Sequence, residues 1–207
     1  MKPILLHHFC ILLLISISCN RYSAQHKKQW TVIWQPWSLG RTILHHADSG
    51  SNTKQLHTTA IIDNKISGYA WELQQANKKN PDVFIAVHNN GGTKRNAVWG
   101  YIHYGDKYEA ANRELAARLT KAVAEISGME NRGVLLDSTT GRNDYRCSAT
   151  GKLSFYSLDE QVNRAPYRVL LEIGDNAASR DYLIKPENQK AMGEAIKKEL
   201  AAWIKNH

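Results

Sequence analysis

The hydrophobic pattern of the chain is dominated by two short apolar runs, each ending in residues that carry chemistry. Val83-Phe84-Ile85-Ala86-Val87 lies between Pro81 and His88-Asn89-Asn90-Gly91-Gly92, and Val169-Leu170-Leu171 runs into Glu172-Ile173-Gly174. Short continuous runs of this kind, closed by glycine turns, predict strands buried on both faces, as in parallel sheets. Trp30 to Pro36 predicts a first strand closed by proline, and Arg41 to His46 a second, while Thr58 to Asp63 leaves strand and loop open. Trp99 to Tyr104 alternates and stops at Gly105, which predicts a further strand.

Helical spacing takes over between these runs. Ile66 to Asn80 aligns Tyr69, Leu73 and Ala76 on one face and ends before Pro81. Asp106 and Glu109 form a capping-box pattern, after which Leu115, Leu119, Val123 and Ile126 recur until Gly128. Glu187 to Lys205 places Met192, Ile196, Leu200 and Trp203 on one stripe. Residues 129–166 form a mostly polar connection around Gly133-Val134-Leu135-Leu136, and a loop of that length generally lines a site. Strands alternating with helices predict an α/β fold over residues 30–207: a single domain with a mostly parallel central sheet flanked by helices.

Composition changes the picture at the amino end. The 207 residues are 43% hydrophobic and 22% charged, ordinary for one globular core. In residues 1–18, Lys2 precedes an uncharged stretch from Phe9 to Ile17 that is too short to span a bilayer, which predicts a secretory signal. Cys19 stands where bacterial lipoprotein signals place the acylated cysteine, although Ser16 occupies the usual leucine position. Acylation and an ordinary signal with an incidental cysteine are equal readings. Residues 19–29 then form a polar tether.

The formal charge of +8 suits an anionic partner such as cell wall or a membrane surface. No basic stripe is interleaved with aromatics, so nucleic acid is not expected. The expected location is the cell envelope or periplasm, and the expected state a monomer. If Cys19 is acylated, Cys147 has no disulfide partner, and its polar setting marks it as an ordinary loop cysteine more than a nucleophile.

His88 and Glu172 are the principal candidates. His88 falls at a strand's carboxyl end, where ligands of parallel sheets bind, beside the amides of Asn89 and Asn90. Glu172 interrupts an apolar run, where a carboxylate is costly unless it is paired, coordinated or catalytic. Arg168, four residues earlier on the same strand face, is the alternative partner. Of His45 and His46, alternation lets only one face a cleft. His57, His103 and Glu72 have no comparable context.

These residues, with Asn131-Arg132-Gly133-Val134 and the Pro186-Glu187-Asn188-Gln189 helix start, resemble in order and spacing the zinc-dependent N-acetylmuramoyl-L-alanine amidases, the AmiC-like cell-wall hydrolases, over roughly residues 66–206. The resemblance implies cleavage of the bond between N-acetylmuramic acid and L-alanine in peptidoglycan by a zinc-activated water. It makes His88 a zinc ligand and Glu172 the catalytic glutamate. The family's first ligands, a glycine-flanked His and an early helical Glu, have no counterpart: no Gly-His-Gly occurs, and no Glu precedes Glu72. His46 is then the leading replacement donor, with His45, Asn89 and Asn90 as substrate contacts. The alternative is a degenerate domain that binds cell wall or muramyl peptides without cleaving them.

Overall fold

A computed structural model describes residues 30–35, 41–45, 57–61, 69–78, 81–141 and 145–207. Residues 1–29, where a signal and a tether are expected, and His46 lie outside the described residues. The described strands are β1 (Trp30–Gln35), β2 (Arg41–His45), β3 (His57–Ile61), β4 (Val83–Asn90), β5 (Ala97–Ile102), β6 (Glu130–Leu136) and β7 (Tyr167–Asp175). They form one sheet in the order β3-β2-β1-β4-β7-β5-β6. In its central part, β1, β4 and β7 run parallel and β5 joins β7 antiparallel, so the central part is mostly parallel. β2 and β3 extend it by antiparallel pairing, and β6 lies parallel to β5 at the other edge.

Alternation along β4 divides the core in two. Val83, Ile85 and Val87 face one layer with Val169, Leu171 and Ile173 of β7, against α2 (Glu109–Ser127) and α4 (Pro186–Ile204). Phe84, Ala86 and Leu170 face the other, against Leu73 and Ala76 of α1 (Tyr69–Lys78) and Phe155, Leu158 and Ala165 of the segment before β7. The two runs buried on both faces are thus the central strands, as expected. A single-turn helix, α3 (Arg180–Leu183), precedes α4. No described helix is long and apolar enough to cross a membrane.

Three local expectations are corrected. Residues 129–166 are not all connection, because Glu130–Leu136 is β6. Its residues are exposed or half-buried, as an edge strand allows, and only its last three, Val134 to Leu136, are apolar. The capping box is not built: α2 starts after Tyr108, without a side-chain cap, and Asp106 instead accepts the Tyr108 amide at 2.7 Å. Ile126 is 50% exposed, since the stripe of α2 has turned off the sheet by its last turn.

Candidate active site at the carboxyl ends of the parallel strands

β4 and β7 pair in register, and His88 is directly opposite Glu172. Partners on parallel strands project to the same face, so both side chains lie on the face that holds Phe84, Ala86 and Leu170. On its other side Glu172 faces Trp99 of β5, and His88 faces Gln35 at the end of β1. A row of four strands therefore brings Gln35, His88, Glu172 and Trp99 to one level. His88 is 5% exposed and Glu172 8%, so water enters this level only locally. Tyr101, two residues along β5, has its hydroxyl pushed up to about 12 by burial and then by the charge of Glu172. A buried carboxylate at a strand's carboxyl end suits proton transfer.

The turns behind this row are held by hydrogen bonds. Asn89 donates its amide to the Ile173 carbonyl at 2.8 Å, and Asn176 N donates to the Asn90 carbonyl at 2.9 Å. Asp175 accepts Thr93 Oγ1 and Lys94 N on one oxygen, both at 3.0 Å, and the Ala177 and Ala178 amides on the other at 2.9 and 3.1 Å. Gly174 has φ +64°, and a Cβ there would lie 2.7 Å from the Ser179 side chain, so the turn after Glu172 requires glycine.

The structure thus brings His88 and Glu172 together, with Asn89 and Asn90 immediately beyond them. It does not bring His45. β2 runs antiparallel to β1, so His45 pairs with Thr31, and Thr31 with Phe84, whereas His88 pairs with Gln35. His45 therefore sits at the opposite end of the sheet, about 13 Å away along the strand direction alone. The Arg168 alternative for Glu172 fails on the same arithmetic, four residues along one strand spanning about 13 Å. Arg168 is instead bound to Asp106 Oδ2 at 2.5 Å and to the carbonyls of Leu158 and Ala165.

An imidazole beside a carboxylate is a fitting start to a zinc site, but a hydrolytic zinc needs about three protein donors. Among the described residues, no group of three His, Cys, Asp or Glu includes His88 or Glu172. The one such group among them is His103, Cys147 and Asp159, at the other end of the sheet. In the sequence His103 has no supporting context, Cys147 reads as a loop cysteine and Asp159 is unmarked. No periodic signal could mark them, because an isolated His after a strand and a Cys and an Asp in polar segments look ordinary.

The N-acetylmuramoyl-L-alanine amidase family model matches residues 43–202 of the chain. No curated protein matches it. Among solved structures, Cwp6 from Clostridium difficile is 25% identical with a TM-score of 0.53, covering 70% of this chain and 21% of that one. The catalytic domain of CwlV, an N-acetylmuramoyl-L-alanine amidase from Bacillus (Paenibacillus) polymyxa var. colistinus, is 18% identical with a TM-score of 0.50, covering 69% of each. An N-acetylmuramoyl-L-alanine amidase from Clostridium difficile 630 is 16% identical with a TM-score of 0.51, covering 68% of this chain and 66% of that one. The chain thus spans about a fifth of the length of Cwp6 and about two thirds of the other two. These two share its fold, a mostly parallel sheet with helices on its faces. With the family model covering most of its length, the chain belongs to the N-acetylmuramoyl-L-alanine amidase family.

Proposed function

We propose that this protein hydrolyses the N-acetylmuramoyl–L-alanine amide bond of peptidoglycan or its muramyl-peptide fragments. The observation that carries the reading is the register of β4 and β7, which sets His88 beside Glu172 at the carboxyl ends of parallel strands. Glu172 takes a proton from the attacking water and returns it to the leaving L-alanine nitrogen. His88 is a metal donor, and the bound zinc would acidify that water and polarise the scissile carbonyl. His46, outside the described residues, is the expected further donor, and Asn90 faces the substrate.

Turnover of muramyl peptides and metal content together test this. Glu172→Gln should lower turnover by at least about 100-fold while zinc is retained, in line with loss of a general base. His88→Ala should lose both turnover and one equivalent of zinc. Full activity in Glu172→Gln would overturn the proposal.

A second reading rests on the absence of a third donor beside His88 among the described residues. In it the domain binds cell wall without cutting it. Peptidoglycan pull-down with no turnover in the wild type, and no zinc lost in His88→Ala, would establish that reading in place of the first.

A peptidoglycan substrate supports a place outside the cytoplasm, as does the apolar stretch that follows Lys2. We propose export to the envelope, with Cys19 acylated and residues 19–29 as the tether. Cell fractionation with metabolic acyl labelling checks this. Full-length chain in the cytosol would overturn export, and unlabelled periplasmic protein would overturn only the anchor.

A further inference from the structure

β5 runs against β7, so the residue that follows it emerges at the end of the sheet away from Glu172. That residue is His103, four positions and about 13 Å beyond Trp99, the register partner of Glu172. Residues 145–166 fold over it, and there His103, Cys147 and Asp159 offer donor atoms within 4.8 Å of one another. Their exposures are 3%, 1% and 0%. The amidase reading uses none of them.

The surroundings hold these side chains as a metal would need them. Asp137, fully buried, lies 2.7 Å from His103 Nδ1 and accepts Ser154 Oγ at 2.6 Å and Tyr104 N at 3.0 Å. A carboxylate on Nδ1 places the ring proton there and leaves the Nε2 lone pair for a ligand, as it does behind metal-bound histidines. Asp159 is steadied by Tyr145 Oη at 2.7 Å and by Gln161 N at 2.8 Å. Cys147 sits in a tight hairpin, its amide donating to the Lys152 carbonyl and its carbonyl accepting Gly151 N, both at 2.9 Å.

The donor set chooses the ion. A thiolate with an imidazole and one carboxylate suits zinc, whereas magnesium and calcium take oxygen ligands. A dication with one thiolate, one carboxylate and a neutral imidazole carries no net charge, which lowers the cost of burying it. Tetrahedral zinc sets its ligand atoms about 3.3–3.8 Å apart, given its bond lengths. The cluster therefore needs to contract by only about 1 Å from its largest separation.

We propose that His103, Cys147 and Asp159, with Asp137 orienting the histidine, bind a structural zinc ion that staples the segment between β6 and β7 to the end of β5. The burial of all three donors keeps substrate away, so the ion acts on the fold and not on the reaction. The segment it secures supplies Phe155, Leu158 and Ala165 to the core layer beneath the active face. The proposal does not depend on the amidase reading.

The test uses the full chain, stripped by a chelator and titrated with cobalt(II). His88→Ala should show a thiolate-to-cobalt charge-transfer band that saturates at one equivalent, and wild type the same band within two equivalents. The band should persist in Cys10→Ser/Cys19→Ser, which leaves Cys147 as the sole thiol, and vanish in Cys147→Ser and weaken in Asp159→Asn. In a His88→Ala background, zinc should raise the melting temperature of Cys10→Ser/Cys19→Ser but not of Cys147→Ser. Absence of the band in Cys10→Ser/Cys19→Ser, or its survival in Cys147→Ser, would overturn the proposal and leave a hydrogen-bonded core network. If Cys147→Ser does not fold, the variant with Cys147 as its sole thiol decides the question by itself.

Discussion

Asp175 shows how much of the active end depends on one carboxylate. It is 1% exposed and receives four hydrogen bonds, which tie the turn after β4 to the turn after β7. The Ala178 amide, with those of Ala177 and Lys94 and the Thr93 hydroxyl, holds its carboxyl well below the usual carboxylate range against the opposing effect of burial. A folded-state value lowered in this way contributes stability that is complete above the unfolded value of about 3.9 and lost as pH falls below it. Asp175→Asn replaces one acceptor by a donor that faces two donors, and should cost about 1–3 kcal/mol at neutral pH. In urea titrations from pH 7 to pH 3, the gap between wild type and Asp175→Asn should narrow only below about pH 4. A gap constant across that range would show that the charge of Asp175 is not what stabilises the turn.

Among the elements, β5 packs closely on α2. A Cβ on Gly100 would lie 2.9 Å from Thr120 Cγ2 and 3.2 Å from Ala116 Cβ. Thr120 cannot simply rotate away, because its hydroxyl is bonded to the Ala116 and Ala117 carbonyls at 2.9 and 3.1 Å. Gly100→Ala should therefore destabilise the protein by about 1–3 kcal/mol through overpacking. Gly100→Ala/Thr120→Ser, which removes the opposing methyl, should recover a large part of that loss in thermal or urea unfolding. Equal loss in the single and double variants would place the cost elsewhere on β5. The packing matters for function because β5 carries Trp99 and Tyr101 to the flank of Glu172.

Across the whole molecule, Arg168 and Asp106 join parts that are distant in sequence. Their ion pair, 3% and 0% exposed, connects the start of β7 to the turn before α2, while the same guanidinium holds the carbonyls of Leu158 and Ala165. Asn112 completes the group, donating to Asp106 at 2.8 Å and accepting Arg168 N at 3.0 Å. Removing one member of such a pair strands a buried charge, so Arg168→Met should cost about 3–5 kcal/mol. Arg168→Met/Asp106→Asn should cost less than the single variant, as read by unfolding midpoints. A larger loss in the double variant would mean that the carbonyl contacts of Arg168, and not its charge pair, secure the segment.

What the sequence by itself determined is local. The apolar runs ending at His88 and Glu172 announced buried strands, and the spacing of Leu115, Leu119 and Val123, and of Met192, Ile196, Leu200 and Trp203, announced the two long helices, all of which the structure contains. Those signals are readable because burial imposes a period on neighbouring residues. Strand direction is marked only in part: a continuous run suits a parallel place, but the run of β5 does not tell which neighbour it opposes. Only the tertiary pairing sets His88 opposite Glu172, sends His45 to the far end of the sheet and turns β5 round so that His103 leaves it there. β6 escaped notice because its first four residues, Glu130 to Gly133, are polar or glycine and leave only Val134 to Leu136 as an apolar signal. The meeting of His103, Cys147 and Asp159 is the furthest from local reading, because their contact depends on how a polar segment crosses the sheet and not on any neighbour in the chain.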